Sequence, residues 1–404
     1  MEKTEWNRTS LREAGVSLID CDHRTPPATE LGYPYIAIPQ LKHGRLDLSD
    51  VRRITREHFL EWNRKANPQA NDVVLSRRCN PGETAVVPAG LECALGQNLV
   101  LLRADGSKLF PPFLRWLVRG SAWWEQIGKF LNVGAVFDSL RCADIPHFRL
   151  PIPPFTEQQT IAGVLGALDD KIELNRRMNE TLEALAQTIF KSWFVDTTAT
   201  KLPKAWRFAK ISELCEINSW TLSKKDALDH VEYVEISEVS RGNIGNIKPY
   251  ERGEEPSRAR RRLRHGDTVL STVRPDRGSY FLCLNPSPNL IASTGFAVLT
   301  PTKAPWSFIH AAMTQTDTFQ YLGQHADGGA YPAVRPEVIG ALEVPWPDTT
   351  EIPDKFHRAC ASLYERAEHN RRETRTLAAL RDALLPKLLS GELRVPEIEK
   401  GGAA

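Results

Sequence analysis

Two stretches of the chain repeat apolar residues at intervals of three and four, and each follows a proline-rich segment. The first runs from Thr156 to Phe194 and the second from Phe356 to Gly391. Intervals of this kind are typical of long helices that pair along a heptad-like seam. We therefore predict two long helices that pair antiparallel through these seam positions: Leu168, Ile172, Asn175, Leu182, Leu363, Asn370 and Leu377.

Short alternating or β-branched runs occupy the segments before each long helix. Such runs predict strands, and the clearest are Asp72–Ser76, Asn98–Leu102, Thr268–Val273 and Gly295–Leu299. A helical stretch follows in each segment, at 110–130 and at 306–321. Each segment is therefore expected to be a mixed α/β domain.

The chain repeats itself at an offset of about 195 residues. In the stretch that begins at Asn175, seven of eleven positions are identical to the stretch that begins at Asn370. Asp72–Ser76 recurs as Asp267–Ser271, and Gly134-Ala135 recurs as Gly329-Ala330. Because these matches keep one order at nearly one offset, the chain consists of two copies of one unit.

The repeat gives an α+β fold of two tandem α/β domains and two long antiparallel coiled-coil helices, related by a pseudo-twofold axis. The prolines of 151–154 and 345–347 mark where each domain ends, because proline disfavours continuing a helix or a strand. The predicted boundaries are 1–153 for the first domain, 154–196 for the first helix, 204–348 for the second domain, 349–392 for the second helix and 393–404 for a flexible tail.

Polar residues inside the first helix suggest further detail. Thr156 and Gln159 have the spacing of a capping box, which predicts Thr156 as the N-cap. Asn175, with Asn370 in the second helix, would fix the register of the pairing at some cost in stability. We interpret Asp169-Asp170-Lys171 as a solvated helix face.

Positive charge is concentrated in the domains. The whole chain has a net charge of only +2, so it is not a generic polycation. Residues 252–277, in contrast, hold eight arginines and four acids, a local net charge of +4. A looser basic set in the first copy consists of Arg45, Arg52, Arg53, Arg56, Arg64, Lys65, Arg77 and Arg78. Guanidinium groups suit phosphates and guanine edges. We therefore predict DNA contacts by Arg77, Arg78, Arg258, Arg260, Arg261, Arg262, Arg264, Arg274 and Arg277.

Catalytic motifs are missing from the sequence. There is no phosphate-binding glycine loop, no nucleophile elbow and no paired-histidine zinc motif. The seven cysteines are dispersed without a Cys-x-x-Cys pair, which disfavours a disulfide framework or a zinc cluster. No apolar run approaches the roughly 18 residues that a membrane helix needs. We predict neither catalytic residues nor a metal site, and no membrane association.

Motifs of the two long helices resemble those of the specificity subunits of type I restriction-modification systems. They are Pro153-Pro154-Phe155-Thr156-Glu157-Gln158-Gln159-x-Ile161, Phe190-Lys191-Ser192-Trp193-Phe194 and Leu384-Leu385-Pro386-Lys387-Leu388-Leu389-Ser390-Gly391. The resemblance covers essentially the whole chain. The second helix departs from it at its start, where Glu351-Ile352-Pro353 replaces the Glu-Gln-x-x-Ile opening.

The resemblance implies a non-catalytic chain in the cytoplasm of a bacterium or archaeon. Its two target-recognition domains would each read half of a bipartite, asymmetric DNA site, and its helices would set the spacer. The helices would also dock two modification subunits, which methylate adenine, and restriction (motor-nuclease) subunits would join them. S-adenosylmethionine, ATP and magnesium would be bound by those partners and not by this chain. The predicted docking residues are Glu157, Gln158, Ile161, Phe190, Trp193 and Phe194.

Two alternatives remain open from the sequence. The chain could be a self-contained DNA methyltransferase or nuclease with an unrecognised active site. It could also be a coiled-coil scaffold whose globular ends bind protein instead of DNA. Cofactor binding by the isolated chain would support the first alternative, and salt-dependent retention on DNA would argue against the second.

Overall fold

The structure is a computed structural model, and it describes residues 6–134, 136–198 and 202–394. The chain forms two compact units. Unit 1 combines the residues up to Lys171 with those from Thr376 onward, and unit 2 holds Ile172–Arg375. Each long helix therefore contributes residues to both units. Most of the predicted tail, from residue 395 onward, lies outside the described residues.

Among its described residues, unit 1 has eleven strands, three short helices and parts of the two long ones. In chain order these are β1 (Arg8–Ser10), β2 (Val16–Asp20), β3 (Tyr33–Ile36), β4 (Leu41–Lys42), β5 (Arg45–Leu46), β6 (Arg52–Ile54), α1 (Arg56–Trp62), β7 (Val73–Ser76), β8 (Thr84–Val86), β9 (Ala94–Leu95), β10 (Leu99–Ala104), α2 (Pro111–Leu117), α3 (Ser121–Phe130), β11 (Arg149–Pro151) and α4 (Phe155–Phe190). A π-helical turn, Lys191–Val195, continues α4.

In the part of unit 2 that the structure describes there are twelve strands and four short helices, followed by the second long helix. They are β12 (Trp206–Lys210), α5 (Ile211–Leu214), β13 (Cys215–Ile217), β14 (His230–Val234), β15 (Val239–Ser240), β16 (Asn243–Ile244), β17 (Lys248–Glu251), β18 (Ala259–Arg262), β19 (Asp267–Ser271), β20 (Tyr280–Cys283), β21 (Leu290–Ser293), β22 (Phe296–Pro301), α6 (Trp306–Met313), α7 (Thr316–Gln324), α8 (Pro336–Gly340), β23 (Glu343–Pro347) and α9 (Glu351–Leu389).

The two units share one strand topology, which confirms the fold class inferred from the internal repeat. The central sheet has the order β2-β10-β7-β8 in unit 1 and β13-β22-β19-β20 in unit 2. A second sheet has the order β6-β3-β9 in unit 1 and β17-β14-β21-β18 in unit 2. The two-stranded sheets β1-β11 and β4-β5 recur as β12-β23 and β15-β16. The units differ at one point. Helix α1 follows β6 in unit 1, whereas strand β18 follows β17 in unit 2.

The central strands are buried on both faces, which explains their continuous apolar sequence. In β7, Val73 and Leu75 point into one core with α2 and α3, whereas Val74 points into a second core on the other side of the sheet. Alternate residues of a strand face opposite sides of the sheet. The predicted strands are therefore found near their predicted positions, each sandwiched between two cores.

The helical stretch predicted at 110–130 is two helices. Gly120 separates α2 from α3 with extended backbone angles. A Cβ at Gly120 would lie 2.7 Å from the side chain of Leu389, so close packing with the end of α9 favours glycine at this position. The stretch predicted at 306–321 is likewise divided, between Met313 and Thr316.

The capping box predicted at Thr156 is wrong. Helix α4 begins at Phe155, one residue earlier, so Thr156 lies inside the first turn. Gln158 anchors this helix start instead. Its side-chain amide donates to the carbonyls of Lys108 and Pro153 at 3.0 and 2.9 Å, and its oxygen accepts from the Phe110 amide at 2.8 Å.

Within unit 2 the two long helices run antiparallel. Asn175 lies beside Asn370 and Glu373, while Phe190, further along α4, contacts Phe356 near the start of α9. The amide of Asn175 donates to the Asn370 carbonyl at 3.4 Å and to Glu373 Oε2 at 2.8 Å. Asn370 donates to Asn179 Oδ1 at 2.9 Å. Both Asn175 and Asn370 are fully buried, so this polar face is not a solvated one.

The other seam residues are less completely enclosed. Ile172 is buried, whereas the remaining seam leucines are half-buried, namely Leu168, Leu182, Leu363 and Leu377. The pairing in unit 2 is therefore centred on the amide ladder and on the aromatic cluster around Phe190.

Asp169 is not part of a solvated helix face, as its sequence context suggested. Its side chain is only 2% exposed and is paired with three arginines of unit 1. Arg381 of α9 donates to it at 2.7 Å, Arg45 of β5 lies at 3.1 Å, and Arg115 of α2 makes a close contact. Burial opposes ionisation of Asp169, yet the arginines hold its pKa below the ordinary value. This cluster attaches the end of α9 to the first domain.

A second buried aspartate occurs in both copies, but its neighbours differ between them. Asp72, at the start of β7, accepts both arms of Arg103 at 2.8 and 2.6 Å. In the second copy Asp267 is equally buried, but the strand register places Thr300, and not an arginine, at the position of Arg103. Burial raises the pKa of Asp267 to about 6, although the Arg264 amide donates to its carboxylate at 2.7 Å.

We predict that Asp267→Asn stabilises the protein above pH 6. The folded-state pKa of about 6 lies above the ordinary value of 3.8, so stability is lost as the pH rises from about 4 through about 6. Asparagine can still accept from the Arg264 amide without carrying a charge. Denaturant unfolding at pH 8 should show a gain of about 2–3 kcal/mol, which disappears below pH 4.

Asp72→Asn is the matched control for this prediction. It removes the charge that faces Arg103 and should destabilise the protein at pH 8. A loss of stability with Asp267→Asn at pH 8 would contradict the electrostatic explanation.

Candidate nucleic-acid interface

The densest arginine run of the chain lies on one strand. Strand β18 is the outermost strand of the second sheet in unit 2 and pairs with β21 through a bulge between Ala259 and Arg261. Its other edge is covered by the segment around Thr221, because Leu222 N donates to Arg260 O at 2.7 Å and Arg262 N to Trp220 O at 3.1 Å. The backbone of the strand is thus satisfied on both sides. A partner would therefore contact this strand through its side chains.

Trp220 orders two of these arginines. The guanidinium of Arg262 lies 3.9 Å from the Trp220 ring centroid and also pairs with Asp226, and the guanidinium of Arg264 lies 4.8 Å from the same ring. Cation–π contact over a tryptophan face restricts a guanidinium without neutralising it. Arg264 is exposed, so it presents a preoriented charge at the surface, whereas Arg262 is largely buried between Trp220 and Asp226.

The remaining predicted arginines of unit 2 fall into different environments. Arg258 and Arg277 are exposed. Arg260 lies 3.6 Å from Glu255, which is itself buried. Arg261 is half-buried, and burial lowers its pKa from the ordinary arginine value. The arginines of this run therefore differ in their exposure to solvent, and they do not form one uniformly exposed patch of positive charge.

Three arginines lie beside surface loops instead of on β18. Arg77 and Arg78 follow β7, and the guanidinium of Arg78 lies 5.4 Å from the ring centroid of Phe137. In unit 2, Arg274 follows β19 and lies 4.7 Å from the ring centroid of Tyr331. Sequence reasoning identified these arginines but missed Phe137, Tyr331 and Trp220. Phe137 and Tyr331 each lie within a few residues of a glycine, whereas Trp220 has no such signal in the sequence.

The structure does not bring the predicted docking residues together on an outward face. Gln158, Ile161, Phe190 and Phe194 are buried within their own units. Phe190 and Phe194 pack in the core of unit 2, and Ile161 packs in the core of unit 1. These large apolar residues therefore complete the cores of their own units. Only Glu157, which is half-buried, and Trp193, which is 36% exposed, retain access to solvent. These four buried residues are therefore not accessible to a partner, and the prediction that they dock one is corrected.

Among the described residues, one cluster has metal-ligating side chains close together: Asp20, Cys21 and His23. The Cys21 thiol donates to the Gly96 carbonyl at 3.1 Å, and burial raises its pKa to about 11. His23 Nε2 lies 3.1 Å from an Asp20 oxygen. These donors already satisfy one another and the backbone, so the cluster gives no reason to propose a metal site. No helix among the residues that the structure describes is long and apolar enough to span a membrane.

Comparison with known proteins gives a consistent result. The family model of the type I restriction modification DNA specificity domain matches residues 25–184. The type I restriction enzyme MjaIX specificity subunit of Methanocaldococcus jannaschii is 23% identical over 364 residues, which cover 86% of this chain and 83% of that protein. The HindI specificity subunit of Haemophilus influenzae is 24% identical, covering 73% of this chain and 80% of that protein.

A solved structure shares the fold over almost the whole chain. The S subunit of a type I restriction-modification system from M. genitalium aligns with a TM-score of 0.59 at 18% identity, covering 96% of this chain and 97% of that one. The findings do not support a self-contained enzyme or a protein-binding scaffold. The resemblance inferred from the helix motifs is confirmed: residues 25–184 match the specificity-domain family model, and the chain is similar over most of its length to type I restriction enzyme specificity subunits.

Proposed function

We propose that each unit of this chain reads one half of a bipartite DNA site. The observation that carries the proposal is that one topology occurs twice with different exposed side chains. Strand β18 presents arginines in unit 2, at the place where unit 1 has helix α1. Two similar scaffolds with different surfaces are suited to two different half-sites. S-adenosylmethionine, ATP and magnesium would belong to the modification and restriction subunits.

The arginines divide into two expected roles. Exposed Arg258, Arg264 and Arg277 are suited to phosphate contacts, which position a protein without reading sequence. Arg78 and Arg274 are half-buried, each over an aromatic ring of a surface loop, and a guanidinium that is both partly enclosed and preoriented is suited to a guanine edge. Phosphate contacts release counterions, so the two roles differ in their dependence on salt.

We expect Arg258→Ala and Arg264→Ala to weaken DNA binding equally for all sequences. Each variant should reduce the slope of log affinity against log salt by about 1, because one phosphate contact is lost. The measurement is binding of duplex DNA at several salt concentrations by the chain assembled with its modification subunits. Arg207→Ala removes an exposed arginine that pairs with Glu213 elsewhere in unit 2, and it should leave the slope unchanged. An unchanged slope in both variants would show that this run is only a solvated surface.

The exposed apolar residues of α4 are better docking candidates than the buried ones. Leu174 and Leu185 are both largely exposed on this helix, and they are eleven residues apart, which returns to nearly the same helix face. Exposed leucines aligned on one face of a helix are suited to a partner subunit. We propose that this face of α4 in unit 2 docks a modification subunit.

Leu174→Ser with Leu185→Ser should therefore weaken assembly without destabilising the chain. Both side chains are exposed, so thermal unfolding should be nearly unchanged, while co-purification of the modification subunit should fall. Leu60→Ser, at an exposed leucine of α1, is the matched control and should assemble normally. A double variant that assembles like the unaltered chain would exclude this face as the docking site.

The long helices are proposed to set the spacing of the two half-sites. The boundaries of the two units fall at Lys171 in α4 and at Arg375 in α9, so insertions there disturb neither unit internally. Four added residues in each helix add about 6 Å of rise and about 40° of rotation. About 6 Å corresponds to roughly two base pairs at ~3.4 Å each. The unread spacer should lengthen while both half-site sequences stay the same, as measured by mapping methylated adenines.

Two controls make the insertion informative. Circular dichroism and thermal unfolding must show that the inserted chain is folded. Substituting Lys171→Ala and Arg375→Ala without insertion should keep the original spacer. A folded insertion variant that methylates sites with the original spacer would show that the helices do not set the distance.

A further inference from the structure

A surface loop of the same construction occurs once in each unit. In unit 1 it comprises residues 132–134 and 136–139, which we name loop 1. Asn132 and Ser139 exchange backbone hydrogen bonds at 2.9 and 3.0 Å and close its base. Leu140 N, directly after the loop, donates to Arg77 O at 2.8 Å, which attaches the loop to the end of β7.

Loop 2, residues 327–333, repeats these contacts in unit 2. Asp327 and Ala333 exchange backbone hydrogen bonds at 3.0 and 2.8 Å, and Val334 N donates to Thr272 O at 2.9 Å. Loop 2 is thereby attached to the end of β19 as loop 1 is to the end of β7. The construction is thus preserved while the tip residues differ: Val133, Gly134, Val136 and Phe137 in loop 1, and Gly328, Gly329, Ala330 and Tyr331 in loop 2.

Each loop holds an arginine against an aromatic ring at its tip. Arg78 lies over Phe137, and Arg274 lies over Tyr331 and also donates to the Ala330 carbonyl at 2.7 Å. The two arginines come from neighbouring alignment positions, because Arg274 aligns with Cys79 at an offset of 195. Cys79 and Arg274 share left-handed backbone angles, with φ of 65° and 47°. An arginine–aromatic pair therefore occurs in both units, but the two arginines come from adjacent positions of the aligned sequences.

The tips expose apolar side chains that nothing in their own unit covers. Tyr331 is 72% exposed, and Val133 and Val136 are 83% and 88% exposed. Large apolar groups exposed to this degree mark contact surfaces when they cluster. Here they sit beside a positive charge, which favours a negatively charged partner that also offers apolar groups.

We propose that loop 1 and loop 2 are the base-reading elements of their units and enter the major groove of double-stranded DNA. This inference rests on the proposed function and specifies its site. The major groove admits a narrow two-stranded ribbon, presents thymine methyl groups to apolar side chains and presents guanine edges to arginine. The exposed ring and valines contact bases or thymine methyls, and the ordered arginine contacts guanine or the adjacent phosphate. The different tips give the two units different half-sites.

The test compares Tyr331→Ser and Phe137→Ser in the full chain assembled with its modification subunits. Randomised duplex DNA is retained on each complex and sequenced, and binding is measured at several salt concentrations. Tyr331→Ser should relax one or two base positions of one half-site by roughly tenfold and leave the other half-site intact. Phe137→Ser should relax only the opposite half-site. The salt slope should not change in either variant, because no charge is removed.

Matched variants separate base reading from a structural role. Tyr331→Phe keeps the ring and should keep the half-site, whereas Phe208→Ser removes an exposed aromatic residue of β12 and should change neither half-site. Thermal unfolding should be unchanged in all of them. If the unaltered complex retains no preferred sequence, the proposed function itself fails. If it does, and Tyr331→Ser leaves both half-sites unchanged or lowers affinity equally for every sequence, the loops are not the base-reading elements.

Discussion

The buried carboxylate of Asp169 is the interaction on which the first unit depends most directly. Unit 1 is assembled from the start and the end of the chain, and Asp169 on α4 meets Arg381 from α9 at this junction. Arg45 and Arg115 bring the sheet and α2 to the same carboxylate. An ion pair removed from water is weak evidence for net stability, but one that loses a partner leaves a buried charge and is costly. Such a cluster therefore favours one way of closing the unit over others.

The second unit closes without this ionic cluster. At an offset of 195 residues, Tyr364 stands at the position of Asp169 and His310 at that of Arg115. The two rings meet edge to face, with centroids 5.0 Å apart. Complete burial lowers the pKa of His310 to about 3, so the imidazole is neutral at physiological pH. One backbone topology is thus stabilised by charge in one copy and by aromatic packing in the other. The two units can therefore diverge in sequence while keeping the same fold.

Sequence alone predicted the repeat, the main strands and both long helices, because these follow from periodicity and from identities at one offset. It failed for residues whose burial and partners are determined by tertiary contacts. Periodicity cannot tell that Phe194 closes a domain core instead of facing a partner, or that Asp169 is buried. The anchor of α4 was misassigned because Gln158 bonds to residues about 50 positions earlier in the chain. Loop aromatics such as Tyr331 carry no periodic signal at all.

The pairing of the long helices and the surface loops depend on different kinds of contact. The asparagine ladder between Asn175 and Asn370 fixes the register of the helices, and a register error would misplace every residue beyond it. The loops, in contrast, are closed at their bases by backbone hydrogen bonds that do not depend on side-chain identity. Their tips can therefore change without altering the fold beneath them. Under the proposed function, a change at the tips alters the DNA target without altering the helix pairing.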